Sequence, residues 1–143
     1  MKTKQLGGRD GDRRFALVLD TGDDVTAVLR EFAAATRMTG HFSGIGALRE
    51  VTIAFWNPET KQYENTSIGE QMEVVALTGS IALGDRAPKV HAHIVLGGRD
   101  GHTRGGHLVS GIVRPTLELL FLESSVDLRR IKDDATGLAL LAL

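Results

Sequence analysis

Histidine side chains form the strongest chemical pattern in the sequence. His91 and His93 are separated by one residue within the apolar run 90–96, and His107 follows a glycine-rich stretch over residues 97–106. Side chains of a β-strand alternate between its two faces, so His91 and His93 are expected to leave the same face. Imidazole nitrogens arranged in this way are typical ligands of zinc and other divalent transition metals.

The spacing of the two histidine segments also predicts which residues meet. If the glycine-rich stretch closes a hairpin centred near Asp100, the numbers of paired residues sum to about 200. His93 then lies opposite His107, and His91 lies diagonal to it, at Cβ separations of ~4.5–5.5 Å and ~7–8 Å. A slip of one residue would turn His107 to the other face. The pattern predicts a zinc or other divalent metal site at His91, His93 and His107; the alternative is a set of hydrogen-bonded histidines on a half-polar sheet face.

The remaining candidates follow from the same argument. Three histidines with no fourth protein ligand describe an open site, which is how catalytic zinc is usually held. Glu118 lies in the next predicted strand and is a candidate fourth ligand, general base or residue that orients a ligand, with a solvated glutamate as the alternative. His102 is expected to be solvated at the loop tip, and His41 has no partner in the sequence.

One helix and several short strands must position these side chains. An apolar face at helical spacing, with Thr21 as the expected N-cap, predicts a helix through Val25, Val28, Leu29, Phe32 and Ala33. Apolar, β-branched segments predict strands at residues 13–20, 48–56, 62–68, 73–83, 90–96, 108–113 and 116–122. This order favours an α+β fold with a central, largely antiparallel sheet and one main helix. Residues 1–12 are expected to form a flexible lead-in, and residues 13–143 a single domain.

Composition excludes several classes of function. The chain has 143 residues, of which 17 are Lys or Arg and 18 are Asp or Glu, so it exerts no global attraction on nucleic acid or on an anionic membrane. The absence of cysteine excludes thiol nucleophiles and thiolate metal sites. The sequence also lacks a dinucleotide fingerprint, a phosphate-binding loop and a nucleophile elbow. Without a signal-peptide run or a segment long enough to span a bilayer, a soluble cytoplasmic protein with no membrane partner is expected.

Five short motifs occur in order along the chain. They are Gly-Ile-Gly-Ala-Leu-Arg-Glu-Val at 44–51, Gly-Ser-Ile-Ala-Leu at 79–83, His-Ala-His at 91–93, Gly-Gly-His-Leu at 105–108 and Thr-Leu-Glu at 116–118. Together they resemble the plants and prokaryotes conserved family, abbreviated PPC, in its prokaryotic stand-alone form. The resemblance extends over roughly residues 13–143.

The resemblance carries its own expectations. It implies an α+β fold with a central antiparallel sheet, a homotrimer, and a metal, usually zinc, at the histidines that match His91, His93 and His107. The fold is similar to that of acetolactate decarboxylase, a zinc enzyme, but a likeness of fold transfers no activity. Members of the family are commonly called DNA-binding, largely because plant relatives carry AT-hooks. This chain lacks the Arg-Gly-Arg-Pro core of an AT-hook, and its near-neutral charge disfavours phosphate contacts.

Two functional hypotheses follow. The first is a DNA-binding or regulatory module in which the metal is structural or sensory. The second is a metal-dependent enzyme that acts on a small carbonyl or carboxylate substrate. Glu118 and the charged pair Arg49 and Glu50 are the candidates for catalysis or for orienting the ligands, although no motif assigns them a role.

Overall fold

The predicted strands join into one antiparallel sheet, and the predicted helix packs against it. A computed structural model describes residues 1–142, with seven strands in the order β1-β2-β7-β6-β5-β3-β4 and a separate two-stranded hairpin. The elements are β1 (Lys2–Gly7), β2 (Arg14–Asp20), α1 (Val25–Thr36), β3 (Gly40–Asn57), β4 (Gln62–Ile68), β5 (Met72–Ala82), β6 (Lys89–Gly97), β7 (Thr103–Glu123), β8 (Arg129–Lys132) and β9 (Ala139–Ala142). The α+β class with a largely antiparallel sheet is confirmed. Within residues 1–142, no helix is both long enough and apolar enough to cross a membrane.

The two longest strands, β3 and β7, pair along most of their length and organise the sheet. The first half of β7 also pairs with β6, and its second half pairs with β2. β5 pairs with both β3 and β6, and β7 also pairs with both of them. The strands β3, β5, β6 and β7 therefore close into a ring in which each strand is hydrogen-bonded to two others.

β7 was expected as two separate strands, 108–113 and 116–122, and only residues 48–56 of β3 were expected as a strand. Both strands are continuous because bulges absorb the irregular stretches, including one between Gly44 and Gly46 where β3 pairs with β5. A Cβ atom at Gly44 would collide with the carbonyl oxygen of Glu118 on β7, so glycine here permits a close approach of the two backbones.

The core lies between the helix and the sheet. The apolar face of α1 buries Val25, Leu29 and Phe32 completely or nearly so. Phe32 packs edge-on against Phe121 of β7, with ring centroids 5.4 Å apart. Burying a large apolar side chain of this kind stabilises the fold by ~1.5–3 kcal/mol.

The helix begins later than its sequence indicated. Asp24 is the N-cap, and its carboxylate accepts a hydrogen bond of 2.8 Å from the backbone N–H of Ala27. The predicted cap, Thr21, instead donates its hydroxyl to the carbonyl oxygen of Pro115 on β7, at 2.7 Å. This tertiary bond holds Thr21 outside the helix, so the first turn starts three residues further along.

The expected lead-in over residues 1–12 is wrong in its first half, because Lys2–Gly7 form the edge strand β1. Thr3 pairs with Leu17 of β2, and the N-terminal ammonium group lies 3.2 Å from the carboxylate of Asp20. Lys2 and Lys4 make this segment polar, and charged side chains are common on edge strands. The sequence therefore resembles a solvated tail although the backbone is paired.

The chain beyond β7 folds back over the sheet. Its β8–β9 hairpin was not predicted from the sequence. The backbone N–H of Arg130 donates to the carbonyl oxygen of Leu83 at 2.9 Å, and the N–H of Leu83 donates to Leu128 at 2.8 Å. These bonds fix β8 beside the end of β5.

Candidate metal centre

The predicted hairpin register is confirmed. His93 on β6 pairs directly with His107 on β7. The connecting turn is closed by the N–H of Gly98, which donates to the carbonyl oxygen of His102 at 2.9 Å, and Gly101 supplies a positive φ of 80°. His91 precedes His93 by two residues on the same face of the strand, so three imidazoles converge.

The three rings form a compact cluster. Their centroids are 5.0 Å apart for His91 and His107, 5.3 Å for His91 and His93, and 5.5 Å for His93 and His107. One nitrogen of each ring lies within 4.8 Å of one nitrogen of each of the others. The Nε2 atoms of His91 and His93 are 3.3 Å apart, a distance that also allows a hydrogen bond between opposite tautomers.

The donor set fits a divalent transition metal. Two nitrogens that each bind a tetrahedral ion at ~2.0–2.1 Å are separated by ~3.3 Å, which matches the separation observed between His91 and His93. The Nδ1 atom of His107 is buried without a hydrogen-bond partner. Burying a polar nitrogen atom without a hydrogen-bond partner costs free energy of folding.

Burial and neighbouring charge keep the imidazoles of His91 and His107 neutral. Burial, followed by the positive charge of Arg130, lowers the pKa of His91 from 6.5 to about 4. Burial and the neighbouring His93 lower the pKa of His107. A neutral imidazole is the form that binds a metal, so both rings are ready to act as ligands at neutral pH.

Residues from four further elements surround the cluster, and none of them was assigned to the site from the sequence. The ring of Tyr63 stacks on His107 with centroids 4.7 Å apart. Across the sheet, Ser80 pairs with His91 on one side and with His41 on the other. A shallow, open cavity of about 290 Å³ lies beside the cluster and is lined by His41, Thr78, Gly79, Ser80, His91, His93 and Arg130, the last from β8.

The other sequence candidates lie away from the histidines. Glu118 is in the half of β7 that pairs with β2, opposite Val18 and Ile45, whereas His107 is in the half that pairs with β6. The structure therefore does not bring Glu118 to the cluster.

Arg49 and Glu50 form an ion pair with each other, with N and O atoms 3.1 Å apart and side chains about half exposed. Neither residue lines the histidine cavity. His102 is 87% exposed at the loop tip, as expected, with Nδ1 3.1 Å from the carboxylate of Asp100.

The family follows from a comparison with known domains. The model of the Plants and Prokaryotes Conserved (PCC) domain matches residues 7–125. The chain therefore belongs to this family, also written PPC, as its ordered motifs predicted. The β8–β9 hairpin, which carries Arg130, lies beyond the matched residues.

Solved structures share the whole fold. A plant- and prokaryote-conserved protein from Pyrococcus horikoshii is 27% identical, with a TM-score of 0.85 and coverage of 99% of this chain and 95% of that chain. A metal-containing protein from Archaeoglobus fulgidus is 30% identical, with a TM-score of 0.84 and coverage of 100% and 99%. A protein from Bacteroides thetaiotaomicron, described provisionally as DNA-binding, is 27% identical, with a TM-score of 0.86 and coverage of 98% and 96%.

Two further comparisons are more limited, one to the fold and the other to a small part of the matched protein. A Staphylococcus aureus protein similar to alpha-acetolactate decarboxylase is 10% identical, with a TM-score of 0.54 over 75% of this chain and 51% of that chain. It confirms the predicted likeness of fold and nothing more. The bifunctional protein GlmU of Synechococcus sp. (strain JA-3-3Ab) is 31% identical over 129 residues, or 87% of this chain. The match covers only 20% of the length of that curated relative.

Proposed function

We propose that this PCC domain holds a divalent transition metal, zinc foremost, through His91, His93 and His107. The observation that carries the proposal is the convergence of three imidazoles, one with a buried Nδ1 that has no hydrogen-bond partner. The relative from Archaeoglobus fulgidus, which covers the whole chain, is itself a metal-containing protein. Nitrogen-only sites accept several metals, and availability in the cell selects among them.

We further propose that the site acts on a small carbonyl or carboxylate substrate. Three protein ligands leave a position for an added ligand, and a metal in such a site polarises an oxygen atom bound to it. The cavity of about 290 Å³ beside His91 and His93 suits a molecule of a few heavy atoms. The Tyr63 ring, stacked on His107, would fix the plane of that imidazole.

The test of the metal site is elemental mass spectrometry on untagged protein. The wild type should hold about one ion per chain, as one three-histidine site requires. A His91→Ala/His93→Ala variant should lose the ion, whereas the control His102→Ala should retain it, because His102 is a solvated histidine of the same hairpin. Equal metal content in all three proteins would refute the assignment.

A DNA-binding or regulatory role is the second candidate. It is supported by the relative that is described provisionally as DNA-binding, although the net charge of −1 provides little phosphate neutralisation. If it holds, fluorescence anisotropy with duplex DNA should show salt-sensitive binding at ~50 mM salt. No binding at that salt concentration would remove this candidate.

We also propose that the chain assembles as a homotrimer, as its resemblance to the PPC family implies. An apolar groove of about 580 Å³ runs along the outer face of β2, β3, β5 and β7, and Ile45, Val75 and Leu120 on its walls are more than half exposed. Light scattering should report a smaller species for Leu120→Asp, and an unchanged one for Val126→Asp, which lies outside the groove. A monomeric wild type would contradict the trimer.

A cytoplasmic location and a single domain over residues 13–143 remain predictions.

A further inference from the structure

Arg130 reaches the histidine cavity from outside the matched family domain. Its strand, β8, is held beside β5 through Leu83. The guanidinium donates from Nη2 to the hydroxyl of Ser80 at 3.1 Å and from Nη1 to the carbonyl oxygen of Ala139 at 2.9 Å. Ser80 pairs with His91, so the cation lies beside the histidine row.

The charge of Arg130 has no acidic partner in the described part of the chain. Within residues 1–142, no Asp or Glu side chain forms an ion pair with it. Its Nε atom is buried without a hydrogen-bond partner, and two neutral oxygens accept from only two of its N–H groups. Burial lowers the pKa of Arg130, yet a guanidinium stays protonated at neutral pH. A partly desolvated cation of this kind is stabilised by an anion.

The position of the cation indicates where such an anion would bind. Arg130 is the one Lys or Arg among the described residues that line the cavity, and His91 and His93 line the same cavity. One positive charge matches one negative charge, and the planar guanidinium fork matches a carboxylate.

We propose that Arg130 binds the carboxylate of a small 2-oxo or 2-hydroxy acid in this cavity, with the second oxygen of the acid directed towards the histidines. This inference rests on the proposed metal site and narrows its substrate to a carboxylic acid. Arg130 is thus a residue that determines specificity, and it is contributed by the C-terminal hairpin.

Pyruvate is the probe for this proposal, and hydroxyacetone is the matched compound in which a hydroxymethyl group replaces the carboxylate. Ligand-observed NMR gives Kd for both compounds with the wild type, Arg130→Gln, Arg130→Lys and the control Arg129→Gln. Arg129 precedes Arg130 on β8 and is 62% exposed outside the cavity. Each protein is measured loaded with zinc and metal-free, with zinc content and Tm recorded alongside.

The expected result separates charge recognition from folding. Arg130→Gln should raise the Kd for pyruvate by about tenfold or more, and Arg130→Lys by less, while Arg129→Gln should leave it unchanged. Hydroxyacetone should not distinguish wild type from Arg130→Gln. Zinc content should stay the same in all the variants, because none of them removes a histidine.

Three outcomes would overturn the proposal. They are the absence of pyruvate binding by the wild type, equal Kd values in wild type and Arg130→Gln, and equal weakening of hydroxyacetone binding by Arg130→Gln. The two proposals fail separately. If the wild type takes up no zinc, the metal site fails, and pyruvate binding that depends on Arg130 in the metal-free protein still supports the inference. If zinc binds normally and the Kd for pyruvate does not depend on Arg130, the inference alone fails.

Discussion

The contact between Glu123 and Arg13 should make the stability of this protein depend on pH in acid. Glu123 ends β7, and its side chain is 8% exposed. Its carboxylate accepts hydrogen bonds from the backbone N–H groups of Gly11 and Arg13, and two more from the guanidinium of Arg13, at 2.6–3.1 Å. The Arg13 guanidinium is the main reason that the pKa of Glu123 falls from 4.5 to about 2.

The magnitude follows from this change in pKa. A fall from 4.5 to about 2 corresponds to ~3 kcal/mol of folding free energy at neutral pH. Because folding lowers the pKa of this group, its contribution is complete above the unfolded value of 4.5 and is lost as the pH falls towards 2. At pH 3, the folded protein should have lost ~2 kcal/mol of this contribution.

The assay is urea unfolding of the wild type and Glu123→Gln at pH 7, 5 and 3. The variant keeps the shape of the side chain but not its charge, and the other carboxylates titrate alike in both proteins. The difference in unfolding free energy should therefore narrow by ~2 kcal/mol between pH 7 and pH 3. Asp10→Asn is the control, since Asp10 also faces Arg13 at 3.5 Å but is 97% exposed. A difference that stays constant between pH 7 and pH 3, or an equal narrowing for Asp10→Asn, would refute the reasoning.

Three further changes test the packing of the site and the start of the helix. In Gly79→Ala, the new Cβ lies 2.5 Å from the carbonyl oxygen of His91, so unfolding should show a loss of ~1–3 kcal/mol; an unchanged Tm would contradict this. Tyr63→Ala removes the ring stacked on His107 and should weaken zinc binding about tenfold in a chelator competition, whereas Tyr63→Phe should preserve it. Asp24→Ala removes the N-cap acceptor and should cost ~1 kcal/mol in urea unfolding.

The histidine pair across the hairpin could be predicted from local information. The alternation of side chains along β6 placed His91 and His93 on one face, and the length of the glycine-rich turn placed His107 opposite His93. Both inferences depend on contacts between neighbouring segments of the chain, where strand period and turn length set the register. The α+β class followed in the same way from the one helical apolar pattern among several strand patterns.

Other features depended on contacts between distant segments. The start of the helix moved because Pro115 accepts the hydroxyl of Thr21. The N-terminal strand β1 was not predicted because its residues are mostly polar. An edge strand buries few side chains and so shows no apolar pattern in the sequence. Glu118 was a candidate to act beside the histidines, with a solvated glutamate as the alternative, and the long, bulged β7 carries it into the half that pairs with β2.

The sequence by itself therefore determined the three ligand candidates and the class of fold, because strand alternation and a short turn are local properties. Only the tertiary structure decided what surrounds them. Arg130 reaches Ser80 across fifty positions of the chain, and His41 meets Ser80 through the pairing of β3 with β5. The alternation of side chains along one strand does not indicate which side chains on distant strands will be in contact. Closure of the sheet and the return of the C-terminal hairpin place a cation beside the histidines.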